Sequence, residues 1–101
     1  MITRAEAEAI ARRKLKEIET EMGIPLALMP DGVVEREVAI AFSYNSKEFL
    51  EEGTFSARLA GNGPLIVLRG TGQILEAGTS EPVDAYLDNL ERFGTLNRPS
   101  G

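Results

Sequence analysis

Three spacings of apolar side chains divide the chain. Ala7, Ile10, Ala11, Leu15, Ile18 and Met22 recur every three or four positions, which places them on one stripe of a helix. Thr3-Arg4-Ala5-Glu6 precedes the stripe as a capping box, in which the Thr oxygen takes the Glu6 N–H and the Glu side chain reaches back. Gly23 and Pro25 end it, so a helix is predicted over Thr3–Met22. From Val34 the period falls to two. Val34, Val38, Ile40, Phe42 and Tyr44 share one face, with Arg36 the exception, and Glu35, Glu37, Ala39, Ala41 and Ser43 share the other. This alternation predicts a strand buried on one side. It suits an antiparallel sheet with helices on one face and the other face wet or only partly covered. The third pattern is the short apolar run Leu65-Ile66-Val67-Leu68, which reads as a buried strand.

Turn residues separate these segments. Leu26 to Met29 is a short strand expected to end at a turn over Pro30-Asp31-Gly32. Asn45 and Ser46 can cap a short helix through Phe49 and Leu50, closed by Gly53. Gly61-Asn62-Gly63-Pro64 is a turn cluster in which Gly and Asn accept φ > 0 and Pro holds φ near about −65°. Gly70-Thr71-Gly72 reverses the chain into a return strand, Gln73 to Ala77. Gly78-Thr79-Ser80-Glu81-Pro82 then leads into a helix carrying Val83, Tyr86, Leu87, Leu90 and Phe93 and ending at Gly94. The order is helix, hairpin, short helix, hairpin, helix. It predicts an α+β domain: an antiparallel sheet of about four strands with an N-terminal and a C-terminal helix packed on it, and a short helix between the hairpins. Residues 1–94 form this single domain, and 95–101 are expected to fray as a polar tail.

Composition narrows the function. With 101 residues, 43% hydrophobic and 27% charged, the chain is long enough for an ordinary core. It contains no His and no Cys. That removes Ser–His–Asp and Cys–His nucleophiles and the common zinc, copper and haem ligand sets. Gly70-Thr71-Gly72 precedes a strand, so it cannot present helix N-terminal amides to a phosphate. No enzymatic activity and no cofactor are expected. Sixteen acids against eleven bases leave a net charge of −5. The excess disfavours nucleic acid as a partner and favours a basic protein by steering, although it also serves solubility. The lack of a membrane span, of an apolar leader and of cysteine fits a cytoplasmic protein.

One ordered series goes further. It comprises Asn45-Ser46-Lys47-Glu48-Phe49-Leu50-Glu51-Glu52-Gly53, Leu59-Ala60-Gly61-Asn62-Gly63-Pro64, Thr71-Gly72, Gly78-Thr79-Ser80-Glu81-Pro82 and Tyr86-Leu87. The series resembles the immunity protein 35 family of YrhB-like small bacterial proteins, predicted antidotes encoded beside polymorphic toxins. Gly70 stands where the family pattern has a polar or acidic residue, and the chain has no Trp. The resemblance implies a stoichiometric binder that neutralises a cognate toxin by covering its active site or an essential surface.

The candidate contact residues are Glu48, Glu51, Glu52, Phe55, Arg58 and Asn62. The three glutamates read as a solvated helix end or as partners for Lys and Arg on a toxin. Phe55 is expected to be buried as a plug for the sheet; exposed, it would be an interface anchor. Arg58 can lie over the core or pair with Glu51 or Glu52, and Asn62 is first a turn residue. Arg12-Arg13-Lys14-Leu15-Lys16 reads as a solvated helix face, with Glu8 and Arg12 in the favourable order. The alternative function is a chaperone-like holdase or housekeeping domain that binds unfolded chains. It requires an open Ala39/Ala41/Ser43 face. Edge-strand association, giving a monomer or weak homodimer, is compatible with either reading.

Overall fold

A computed structural model describes residues 1–59 and 62–97. Helix α1 spans Arg4–Met22. Thr3 Oγ1 accepts the Glu6 N–H at 3.2 Å while Thr3 N donates to Glu6 Oε1 at 2.9 Å, so both halves of the capping box are present. The backbone hydrogen bond from Thr3 holds the Glu6 carboxyl below its ordinary pKa. A depressed carboxyl stabilises the fold above its unfolded pKa, and the contribution is lost as pH falls through the folded value. Ala7, Ala11, Leu15 and Ile18 are buried, whereas Met22, at the end of the stripe, is exposed. Glu8 pairs with Arg12 at 3.2 Å on the solvent side.

The sheet is an antiparallel meander in the order β1-β2-β3-β4, formed by Leu26–Glu35, Ala39–Ser46, Leu65–Leu68 and Ile74–Glu76. A second helix, α2, covers Lys47–Glu52 between the hairpins, and α3 covers Val83–Phe93. The predicted α+β architecture is therefore present. The first hairpin turns elsewhere than expected. Leu28 pairs with Tyr44 and Val33 with Phe42, so Met29 to Gly32 bulge opposite the single residue Ser43. The reversal lies at Arg36–Val38, where Arg36 N donates to Ala39 O at 2.9 Å. Pairing on both sides of the bulge gives β2 a partner along its whole length. Pro30, which has no N–H to offer, is accommodated in the bulge.

The one-sided sheet is also corrected. Strand β2 is buried on both faces. Ile40, Phe42 and Tyr44, with Leu26, Leu65 and Val67, pack under the Ala7–Ile18 stripe of α1. Ala39, Ala41, Ile66 and Ala77 pack against Tyr86, Leu87 and Leu90 of α3. Because the chain reverses after it, Val34 pairs with Ala41 and joins the α3 side rather than the Ile40 side. The period of two was real, but the alternate positions are alanines, which are small enough for a helix to cover closely. Tyr86 is 2% exposed, and its hydroxyl lies 3.0 Å from Ser80 Oγ.

Arg36 ties α3 down at the turn of the first hairpin. Its guanidinium donates to Asp84 and Asp88, each at 3.0 Å, and to Glu91. These acids stand four and three residues apart along one side of α3. The hydrogen bonds they accept, Asp88's foremost, raise the Arg36 pKa further. A raised base stabilises the fold below its unfolded pKa and loses that contribution only as pH rises through the folded value. For arginine that window lies outside ordinary solution conditions, so salt is the relevant perturbant.

The two-faced core predicts a contrast on α3. Leu87→Ala, at a position with no solvent exposure, should lower the urea-unfolding free energy by about 2–5 kcal/mol. Phe93→Ala, at the exposed end of the same helix, should stay within about 1 kcal/mol. Equal losses would contradict the packing of α3.

Candidate functional site

The site is built on two buried polar residues that end β2. Asn45 and Ser46 are 7% and 3% exposed, so their polar atoms need partners within the protein. Asn45 Oδ1 accepts the N–H of Ser46 and of Leu59, both at 2.8 Å. Ser46 Oγ accepts the Phe49 N–H at 3.1 Å, capping α2, and donates to Ala57 O at 2.5 Å. Lys47 N donates to Pro25 O at 3.0 Å. Gly53 closes α2 with φ 70°, where a side chain would be strained. A single 3-10 turn at Phe55–Ala57 follows. The segment from Lys47 to Leu59 is thus held at its start, at Ala57 and at Leu59 by the end of one strand.

The turn after it is pinned as well. Asn62 Nδ2 donates to Tyr44 O at 2.7 Å, so Asn62 does more than turn the chain. Gly63 has its own requirement: a Cβ there would lie 1.8 Å from Ala77 O. Its role is close approach to the end of β4 rather than a positive φ. Gly61, the first residue of the predicted turn cluster, Ala60 before it, and residues 98–101 of the predicted tail lie outside the described residues.

Five of the six predicted residues line two grooves that share Arg58. Glu48, Glu51, Glu52 and Arg58, with Ile24, Pro25, Ser46, Ala57 and Leu59, line a groove of about 580 Å³. Arg58 and Asn62, with Met29, Tyr44 and Phe49, line a second of about 610 Å³. The sixth, Phe55, is joined to them through Arg58, whose guanidinium carbon lies 6.0 Å from the Phe55 ring centroid and 5.9 Å from that of Phe49. Both distances are within reach of a cation–π contact. The expectation of a buried Phe55 is corrected: the residue is 75% exposed. Both sheet faces are already filled by α1 and α3. Among the described residues Arg58 makes no ion pair with Glu51 or Glu52.

Sequence reasoning missed Ile24 and Pro25 as groove lining, Phe49 as the second ring and Asn45 as the long-range tether. Ser46 had a readable local signal as the cap of α2, and Asn45 had one only as a second candidate for that cap. Tyr44, which lines the second groove, has its hydroxyl pKa raised by burial first and by the Glu76 charge second. It therefore remains a neutral hydrogen-bonding group near pH 7. Among the described residues no three His, Cys, Asp or Glu side chains are grouped to hold a metal ion. No helix among them is long and apolar enough to cross a membrane.

Fold and site together define an α+β domain presenting a pinned, mixed acidic and aromatic surface at one end of its sheet. The sequence profile described as immunity protein 35 matches residues 5–89, and the chain belongs to that family. It is also similar to the uncharacterized protein YrhB of Escherichia coli strain K12, with 44% identity over 50 residues. That alignment spans 50% of this chain and 53% of the relative. No solved structure matches.

The tether can be tested directly. Asn45→Ala leaves the half-buried Leu59 N–H without its acceptor and should cost about 1–3 kcal/mol. Amide exchange at Leu59 should accelerate beyond what global destabilisation explains, while Phe42 and Ile66 follow the global value. Uniform acceleration across the sheet would refute a local tether.

Proposed function

We propose that the chain is a non-enzymatic immunity protein that neutralises a cognate protein toxin by stoichiometric binding. The contact surface in this reading is Glu48, Glu51, Glu52, Phe55, Arg58 and Asn62. The observation that carries it is the exposed Phe55–Arg58 stack set beside three glutamates on a segment pinned by Asn45 and Ser46. Exposed aromatic and arginine side chains are typical energetic anchors of interfaces, and a preorganised loop avoids the cost of ordering on binding. The surrounding carboxylates supply steering toward a basic partner. Family membership supports a protein as that partner. Residues 1–94 would act as one cytoplasmic domain, a monomer or weak homodimer, with no cofactor.

The holdase alternative needs an open apolar sheet face. Ala39 and Ala41 are fully buried beneath α3, so its motivating feature is absent among the described residues.

Calorimetric titration with the purified product of the neighbouring gene, the candidate toxin, should give one tight site at 1:1 stoichiometry, with affinity falling as salt rises. Paired charge reversal, Glu51→Lys with Glu52→Lys, should weaken binding by about tenfold or more, mainly through slower association. Unchanged affinity in that variant would remove the acidic segment from the interface. Absence of toxin binding by the unaltered chain would overturn neutralisation itself.

A further inference from the structure

Two sets of three carboxylates stand on helices of this protein, and they differ in what they hold. Asp84, Asp88 and Glu91 on α3 converge on the guanidinium of Arg36. Glu48, Glu51 and Glu52 on α2 have the same kind of spacing, three and four residues from Glu48. Among the described residues they make no ion pair. They border a groove whose other lining includes the apolar surfaces of Ile24, Pro25, Ala57 and Leu59. Ile24 is 37% exposed there.

We propose that this groove receives one Lys or Arg side chain from a loop of the toxin, the aliphatic stem lying on Ile24, Pro25 and Leu59 and the cation reaching the α2 carboxylates. An apolar neighbour on the same loop covers Phe55. The inference rests on the neutralisation reading and specifies the partner's contact. Charge complementarity selects the occupant. Lys47 and Arg58 also line the groove, so three carboxylates face two cations. That balance suits a single cationic side chain carried on polypeptide better than an extended polycation. The backbone carbonyls flanking such a residue are acceptors Arg58 can use, because its guanidinium lies within cation–π reach of Phe49 and Phe55 and makes no ion pair among the described residues. An arginine or lysine stem on apolar surface with its head among acids matches how these side chains are ordinarily accommodated.

The test needs no toxin. The isotopically labelled full chain is titrated with acetyl-Leu-Arg-Gly-amide and, separately, with the citrulline peptide, which has nearly the same shape without the charge. The arginine peptide should give saturable amide shifts at Ile24, Glu48 to Gly53 and Ala57 to Leu59, and should bind about fivefold or more tighter than the citrulline peptide. Adding about 0.3 M salt should erase most of that difference. Glu48→Gln, Glu51→Gln and Glu52→Gln combined should abolish the arginine preference. Phe55→Ala should weaken the arginine and citrulline peptides alike, by about threefold. Equal binding of the two peptides, shifts centred on the α3 carboxylates, or no saturable shift would overturn the proposal. Each of these would leave neutralisation to be decided by the toxin titration. Loss of toxin binding alongside a bound arginine peptide would instead overturn neutralisation, and with it the assignment of the occupant to a toxin.

Discussion

Strand β2 is the element on which the rest of the molecule is arranged. It lies between β1 and β3, so its backbone groups are paired on both edges. Its side chains have to be covered on both faces, because Ile40, Phe42 and Tyr44 point one way and Ala39 and Ala41 the other. Helix α1 covers the first set and α3 the second. The alanine positions matter here: a flat, small-residue face is what the larger Tyr86, Leu87 and Leu90 of α3 can cover without voids. Arg36, at the turn leading into β2, secures α3 from its polar side.

The end of the molecule that carries the proposed contact surface follows from how β2 stops. Its last two residues are polar, yet they remain buried, and burial obliges them to hydrogen-bond within the protein. They do so by capturing backbone groups of the segment that follows, from Phe49 to Leu59. The strand thereby transmits its order to a stretch that contains only one short helix and one 3-10 turn. That stretch can then hold a large apolar side chain, Phe55, in water beside Arg58 and three carboxylates. With both sheet faces filled, no interior site remains for Phe55. An exposed aromatic on a fixed backbone is a costly feature for solubility alone and an inexpensive one for recognition.

Much of this was legible in local sequence. The Thr3–Glu6 capping box, the α1 stripe, the Ser46 cap and Gly53 stop of α2, and the second hairpin all follow from interactions between residues a few positions apart. The six candidate residues lie on one segment and its following turn; five of them line the two grooves that meet at Arg58, and Phe55 lies within cation–π reach of it. What local pattern misread were features decided by partners far along the chain. Pro30-Asp31-Gly32 has the composition of a turn, but the reversal falls at Arg36–Val38 because β2 needs a partner along its full length. Phe55 has the composition of a core residue, but α1 and α3 had already used the core.

The sequence by itself determined the helices, the second hairpin, the order of helices and hairpins and the acidic balance, because capping, periodicity and charge depend on neighbours within a turn or two. Only the tertiary structure decided that the alanine face is covered, that Arg36 gathers Asp84, Asp88 and Glu91, and that Asn45 reaches Leu59. Those contacts join residues up to 55 positions apart. They exist because burying β2 from both sides brings those positions together, and nothing in the spacing of residues along the chain encodes that distance.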